Sequence, residues 1–309
     1  MWQTAMRGYG ADWTLTQYFV WYYLEHGKAF RPEDIYAGNL LSAWEALEAG
    51  VTTTVDWSHG LQTVYVHAAT LTTDSYQRIA ATGGSISVST ESEQSAGQGY
   101  PPTWQVRRYD IPVSLSVDTS VWCSGDLFSA MRTTLGADRS REHLEAHAKG
   151  ETVTHMHLRA EHVVDWATRG GARALGRDDL GRLEPGVKAD LVLIKNDASP
   201  VSFPLLNPYG QVAFQAQRGD VHTVIVNGKV VKHEHRLVGV DLAAVRRTVD
   251  ATVEHLKAQL GEEQWSKGMN PDTPSDEESL NNPYQYTEYK SDTTRGARGS
   301  VFDEPGSGR

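Results

Sequence analysis

The chain has 309 residues, 39% of them hydrophobic, a formal net charge of -10 and one cysteine, Cys123. That length suits one large α/β domain or two smaller ones with a sizeable core, while the acidic balance argues against a nucleic-acid binder, which carries a basic face. The lone cysteine excludes an internal disulfide framework, no run approaches the roughly 18 apolar residues of a membrane helix, and the opening MWQTAMRGYGADW lacks the regions of a signal peptide, so a cytoplasmic protein is expected.

Leu15 to His26 (LTQYFVWYYLEH) reads as a buried aromatic helix. Pro32 opens the next helix, with Glu33 and Asp34 in its first turn, because proline needs no N–H there and acids suit the helix dipole. Leu40, Leu41, Trp44 and Leu47 form its apolar stripe, and Gly50 is its stop. Two apolar, β-branched runs follow, Val51 to Trp57 and Val64 to Ala68, and both read as strands. Only SHGLQT, residues 58–63, joins them. That is shorter than the dozen or more residues a parallel crossover needs.

Thr72 or Thr73 can cap a helix ending near Gly83-Gly84. Ser85 to Thr90 is a third strand, Ser95 to Pro102 a loop, Trp104 to Tyr109 a short helix, and Val113 to Asp118 a fourth strand. Helices then cover roughly Gly125 to Leu135, Arg139 to Ala148 and Leu158 to Leu175. Alternating strand and helix predicts a parallel sheet. Asp56, His67, Thr90 and Asp118 end the four strands. In a parallel barrel that end is where catalytic residues gather.

The texture changes after Gly176. Leu183 to Ile194 is a turn leading into a strand, and Val221 to Val231 is a hairpin with Asn227-Gly228 as a type I′ turn. Asp241 to Leu260 reads as an amphipathic helix. Gly261 to Arg309 is polar and rich in Pro, Gly, Ser, Asp and Glu, which predicts disorder.

GRLEPGVKADLVLI (Gly181 to Ile194), the following VHTVIVNGKVV and the preceding ATRGGARALG (Ala167 to Gly176) resemble the return to the small β-sandwich of the amidohydrolase superfamily. Upstream, GVTTTVDWSH resembles its second barrel strand, VYVHA the sixth, SISVST the seventh and VSLSVD the eighth. The branch most similar is that of cytosine deaminases and chlorohydrolases, over about residues 1–240. The resemblance implies an α/β fold, an incomplete TIM-type (β/α)8 barrel over 1–180, with a small partial β-sandwich module over 181–240. The helix over 241–260 and the tail over 261–309 follow it.

The resemblance also implies chemistry. Members carry one or two divalent metals, zinc or iron, and hydrolyse carbon–nitrogen bonds other than peptide bonds, or sometimes carbon–chlorine bonds. Asp118 would bind the metal and act as general base. His67 would orient or protonate near the attacking water, and ligate metal in binuclear members. A metal lowers the pKa of its water and a carboxylate takes the proton. The small-molecule substrate would be a heterocyclic amine or amide, with His59, Glu91 and Trp122 lining its pocket. No nucleic-acid or membrane partner is implied, and open sheet edges favour a homo-oligomer.

Each of these residues also has a purely structural reading. His67 could be a hydrogen-bonded core histidine, Asp118 the cap of a loop, and His59 and Glu91 solvated loop groups. Asp56 reads as structural and Cys123 as a packing residue. His155-Met156-His157 sits at a helix entry, where i and i+2 point apart, so it is not read as a metal pair. His233-Glu234-His235 could share one strand face, but it lies in the β module and is not read as a metal site either.

The resemblance places a His-x-His pair on a strand before Trp2 and a further ligand between His59 and Val64, and neither is found there. A catalytic zinc takes three protein ligands; His67 and Asp118 give two. Two functions follow: a metal-dependent, deaminase-like hydrolase, or a catalytically inactive relative that binds or scaffolds, or does not fold alone.

Overall fold

A computed structural model describes residues 1–55, 64–197 and 199–272 of the chain. Three strands, β1 (Val64–Val66), β2 (Ser85–Val88) and β3 (Val113–Leu115), lie side by side in that order, all parallel. Helices make the crossovers. The helix α1 (Pro32–Glu48) precedes the sheet and starts at the proline, as expected. Between β1 and β2 runs α2 (Thr73–Ala81), whose first turn is capped by Thr72 Oγ1, accepting from the Ser75 N–H at 3.2 Å. Between β2 and β3 run α3 (Thr90–Ser95) and α4 (Thr103–Arg108).

All four residues of β2 are buried, as a central parallel strand covered on both faces requires. Ile86 and Val88 pack with Val113, Phe128, Leu135, Leu158 and Trp166 in one core. The helix α5 (Leu127–Ala148) covers the sheet and is capped by Asp126, which accepts from the Ser129 N–H at 2.8 Å. The two helices expected at Gly125–Leu135 and Arg139–Ala148 are therefore one. Gly136 costs it only about 1 kcal/mol, and Asp138 beside it is buried and paired with Arg107 at 3.0 Å.

The run Val51 to Trp57 does not form the expected strand. Val51 to Val55 is irregular; Asp56, Trp57 and the 58–63 linker lie outside the described residues. The physical reason is a long-range one. Gly50 (φ 86°) turns the chain, the Val51 N–H bonds back to Ala46 O at 2.8 Å, and Thr53 Oγ1 donates to Asp190 at 3.4 Å. This stretch runs along the second sheet, so the described parallel sheet has three strands rather than four.

That second sheet is antiparallel, in the order β4 (Leu191–Ile194), β5 (Val221–Val226), β6 (Lys229–His233), β7 (Arg236–Leu237). Asn227 (φ 49°) and Gly228 (φ 80°) make the β5–β6 turn, with the two left-handed residues a type I′ turn demands. Lys232 of β6 is fully buried. Its Nζ donates to Glu48 O at 2.7 Å and Glu48 Oε1 at 2.9 Å, which ties the sheet to the C-terminal end of α1, where a cation also suits the dipole.

A helical run over 160–174 forms as Ala160–Asp165, a π-turn at Trp166–Gly170, and Gly171–Ala174; this is α6. The aromatic segment begins as an α-turn, Leu15–Gln17, and widens into a π-helix, Tyr18–His26. The final helix α7 (Leu242–Gly268) is capped by Asp241 but does not stop at Leu260. It turns at Gly261 (φ 75°) and continues. The expectation of disorder from Gly261 is thus corrected over 261–272, while 273–309 lie outside the described residues. Trp265 is the reason: it is 8% exposed, stacks against Tyr9 at 4.8 Å, and its carbonyl accepts the Tyr9 hydroxyl at 2.5 Å. Among the described residues no helix is long and apolar enough to cross a membrane.

Candidate active site

His67 and Asp118 sit just past the C-terminal ends of β1 and β3, on either side of β2. Both have left-handed backbones, φ 64° for His67 and 53° for Asp118, and Ala68 follows His67 at φ 60°. Such conformations cost a non-glycine residue of order 1 kcal/mol or more and persist where the surroundings impose them. The surroundings here are specific. The His67 N–H donates to Ser87 O at 2.9 Å, and the Tyr76 hydroxyl donates to Ala68 O at 2.6 Å, pinning the turn. On the other side the Ser116 N–H continues the ladder to Val88 O at 2.8 Å, and the Asp118 N–H donates to Ser116 Oγ at 3.2 Å.

The helix α3, which begins straight after β2, joins the two. Glu93 is fully buried and accepts the Ser89 N–H at 2.8 Å. The same oxygen, Oε1, lies 3.4 Å from His67 Nδ1, an ion-pair separation rather than a well-formed hydrogen bond. Glu93 Oε2 has no hydrogen-bond partner. One residue earlier, the Ser92 hydroxyl donates to the Asp118 carboxylate and accepts the Trp122 indole N–H at 3.2 Å. Burial alone would lower the His67 pKa, but the Glu93 carboxylate, with Asp118 behind it, outweighs burial and holds the pKa above its ordinary value. The two carboxylates therefore shift the His67 equilibrium towards its imidazolium form.

Of the sequence-derived candidates, His67, Asp118 and Trp122 come together here. Glu91 does not join them. Its carboxylate accepts the Ser124 N–H at 3.3 Å, the Ser124 hydroxyl at 2.9 Å and the Ser129 hydroxyl at 2.9 Å, so its acceptors tie α3 to the start of α5. His59 lies outside the described residues. Cys123 is buried, and its thiol is pushed far up by burial and by the Asp118 and Glu91 charges, which suits packing and not nucleophilic attack. Ser92 and Glu93 were not foreseen. In TESEQS, Glu91 and Glu93 are equally acidic, and only the helix that starts at Thr90 points them to different partners.

The two remaining histidine pairs lie elsewhere in the fold. His157 bonds Glu142 at 2.9 Å while His155 faces Thr154 at 3.0 Å, so they do not converge. His233 and His235 share a face with His222, ring centroids 5.7 and 5.1 Å from it. Among the described residues no group of three His, Cys, Asp or Glu is placed to hold a metal ion. His67 and Asp118 offer two donors, and Asp118 already accepts from Ser92. The described residues thus do not fit a catalytic zinc, which takes three protein ligands.

Residues 45–231 match the model of the Amidohydrolase family. A 5-methylthioadenosine/S-adenosylhomocysteine deaminase of Desulfitobacterium hafniense is 32% identical over 192 residues, which are 62% of this chain and 42% of that one. An adenosine deaminase from Xanthomonas campestris, solved with bound zinc, matches 63% of this chain and 42% of its own, with a TM-score of 0.54 and 25% identity. Atrazine chlorohydrolase TrzN from Arthrobacter aurescens TC1, complexed with zinc, matches 62% of this chain and 40% of its own, with a TM-score of 0.54 and 24% identity. These likenesses bear out the α/β architecture as an incomplete barrel of this kind. The chain spans less than half the length of each of these three relatives.

Proposed function

The chain belongs to the amidohydrolase family, and from that premise we propose that it hydrolyses a carbon–nitrogen bond in a small heterocyclic amine or amide, as a deaminase does. The observation that carries the reading is the His67–Asp118 pair, held across three parallel strands by Glu93 and Ser92 of one helix. Water adds to the carbon bearing the amine. Asp118 takes the proton of the water, and His67, whose pKa its carboxylate neighbours raise, gives a proton to the substrate as the amine departs. Ammonia leaves and a carbonyl remains. Trp122, edge-on to Tyr18 at 4.7 Å, offers an aromatic wall to a planar ring.

Water activation rests on Asp118 alone among the described donors. A positioned base and acid each contribute about 10²- to 10⁴-fold, so slow turnover is expected from this chain by itself. The two-donor set also favours a second reading, a catalytically inactive relative that keeps the pocket and binds the same amines. Two measurements separate them: metal content of the purified chain, and ammonia release from a panel of adenosine-like and triazine-like amines. Ammonia release that disappears in Asp118→Asn and His67→Gln supports hydrolysis. Saturable amine binding with no ammonia and no stoichiometric metal leaves the binding reading instead.

A further inference from the structure

Four arginines line one open cavity of about 320 Å³ at the end of α6, far along the chain from His67 and Asp118. Arg169, Arg173 and Arg177 are four residues apart, so they follow one helical face and its continuation. Like charges at that spacing oppose each other by a few tenths of a kcal/mol per pair. Arg182 closes the group from the returning loop. It gets there because Gly181 (φ 78°) lets the loop touch the helix. A Cβ at Gly181 would lie 2.9 Å from Arg169 Cα and from Thr168 O.

Three of the four guanidiniums have carboxylate partners at the surface. Arg173 pairs with Asp165 at 2.6 Å, Arg177 with Asp179 at 2.7 Å and Arg182 with Glu184 at 3.1 Å. Arg169 has no ion-pair partner among the described residues. Lys188 adds a further cation 3.8 Å from Asp179, and Asp178 and Glu184 also line the cavity. The fold therefore gathers four arginines, gives three of them carboxylate partners and leaves Arg169 without an ion-pair partner among the described residues. Exposed pairs are worth only about 0–1 kcal/mol, so a doubly charged anion can take their place, and planar guanidinium forks match phosphate oxygens two at a time.

We propose that this cavity binds a phosphate dianion, either as the free ion or as the phosphate group of a small phosphorylated molecule, with Arg169 and Arg182 as its two principal contacts. The cavity volume admits a phosphate and a few attached carbons.

The test is calorimetric titration of the full chain, in a low-salt buffer free of phosphate, with inorganic phosphate and separately with ribose 5-phosphate. One saturable site is expected. Affinity should fall about tenfold in Arg169→Ala and in Arg182→Ala, and less in Arg169→Lys, which keeps the charge but loses the fork. Arg246→Ala, an 84% exposed arginine side chain on α7, should bind like the unaltered chain. Equal affinity for the two probes identifies the free ion as the ligand, and tighter ribose 5-phosphate binding identifies the phosphorylated molecule. Absence of a saturable site overturns the proposal. So does binding that survives both arginine-to-alanine changes, or that Arg246→Ala weakens equally, in proteins whose thermal unfolding matches the unaltered chain.

Discussion

His26 makes the protein acid-sensitive in a calculable way. Its ring is 1% exposed, the Trp21 indole meets it edge-on at 4.3 Å, and neither ring nitrogen has a hydrogen-bond partner. Burial lowers its pKa from 6.5 to about 4. The native state thus binds this proton less readily than the unfolded chain does. Above pH 6.5 both states are neutral and His26 contributes nothing to pH dependence. Below that the unfolded chain is protonated first, so stability falls as pH falls, and the full loss is reached near pH 4. Lowering the pKa from 6.5 to about 4 corresponds, at about 1.4 kcal/mol for each tenfold change in proton affinity, to a loss on the order of 3 kcal/mol. Against a typical net stability of about 5–15 kcal/mol, that is large. The perturbation is His26→Phe, which keeps an aromatic ring and removes the proton site. Urea unfolding followed by tryptophan fluorescence, at half-unit steps from pH 4.5 to 7.5, reads the difference. Carboxylates that titrate elsewhere act on both proteins and cancel. The stability gap between the two should change by about 2–3 kcal/mol across the range, in favour of the phenylalanine variant at acid pH. Parallel pH curves would refute the claim that His26 is held neutral by burial.

Other consequences follow from single contacts. Trp265→Ala should cost about 3–5 kcal/mol, because it empties the space beside Tyr9 and releases the helix past Gly261; limited proteolysis should then cut near Gly261, where the unaltered chain resists. Lys232→Met should destabilise by about 1–3 kcal/mol despite its good packing, since it strips the Glu48 carbonyl and carboxylate of their buried donor; chemical denaturation measures it. Leu193→Lys, at a 51% exposed position on the edge strand β4, should leave thermal stability within about 0.5 kcal/mol and reduce self-association in sedimentation, as edge charges do.

Local signals and distant contacts divide what could be read from the residues alone. Pro32 with its two acids, Thr72 before α2, and Asn227-Gly228 each carry their effect within a turn, and each stands where expected. The strand ends that present His67 and Asp118 follow from alternation of strand and helix. Other features depend on partners far along the chain. Val51 to Val55 has strand-forming residues, yet Thr53 bonds Asp190, just before β4, and not a parallel strand. Trp265 sits in a polar stretch whose order comes from Tyr9, over 250 residues earlier by the 256-residue separation of their bond. Lys232 is buried because α1 covers it, a contact with Glu48 that lies 184 residues away along the chain. Glu91 and Glu93 look alike until α3 gives one to Ser124 and Ser129 and the other to His67.

The same helix bears on how the proposed His67–Asp118 site is held in a chain with few barrel strands. His67 and Asp118 need three things: adjacent strand ends, a left-handed turn at each, and a fixed distance between them. The strands come from a sheet whose crossovers α2, α3 and α4 all lie between residues 73 and 108. The turns are held by Tyr76 on α2 and Ser116 beside β3. The distance is held by Glu93 and Ser92, neighbours on α3, one reaching each residue. Every support lies within the segment from β1 to β3, so the pair is positioned by local connections and does not depend on closure of a full barrel. Ser92→Ala separates positioning from folding. It removes one hydroxyl that holds Asp118 and Trp122 together, so it should alter Trp122 fluorescence and lower amine hydrolysis or binding while moving global stability by only about 1 kcal/mol. A loss of several kcal/mol would mean that the link is part of the core and that the site is not positioned independently of it.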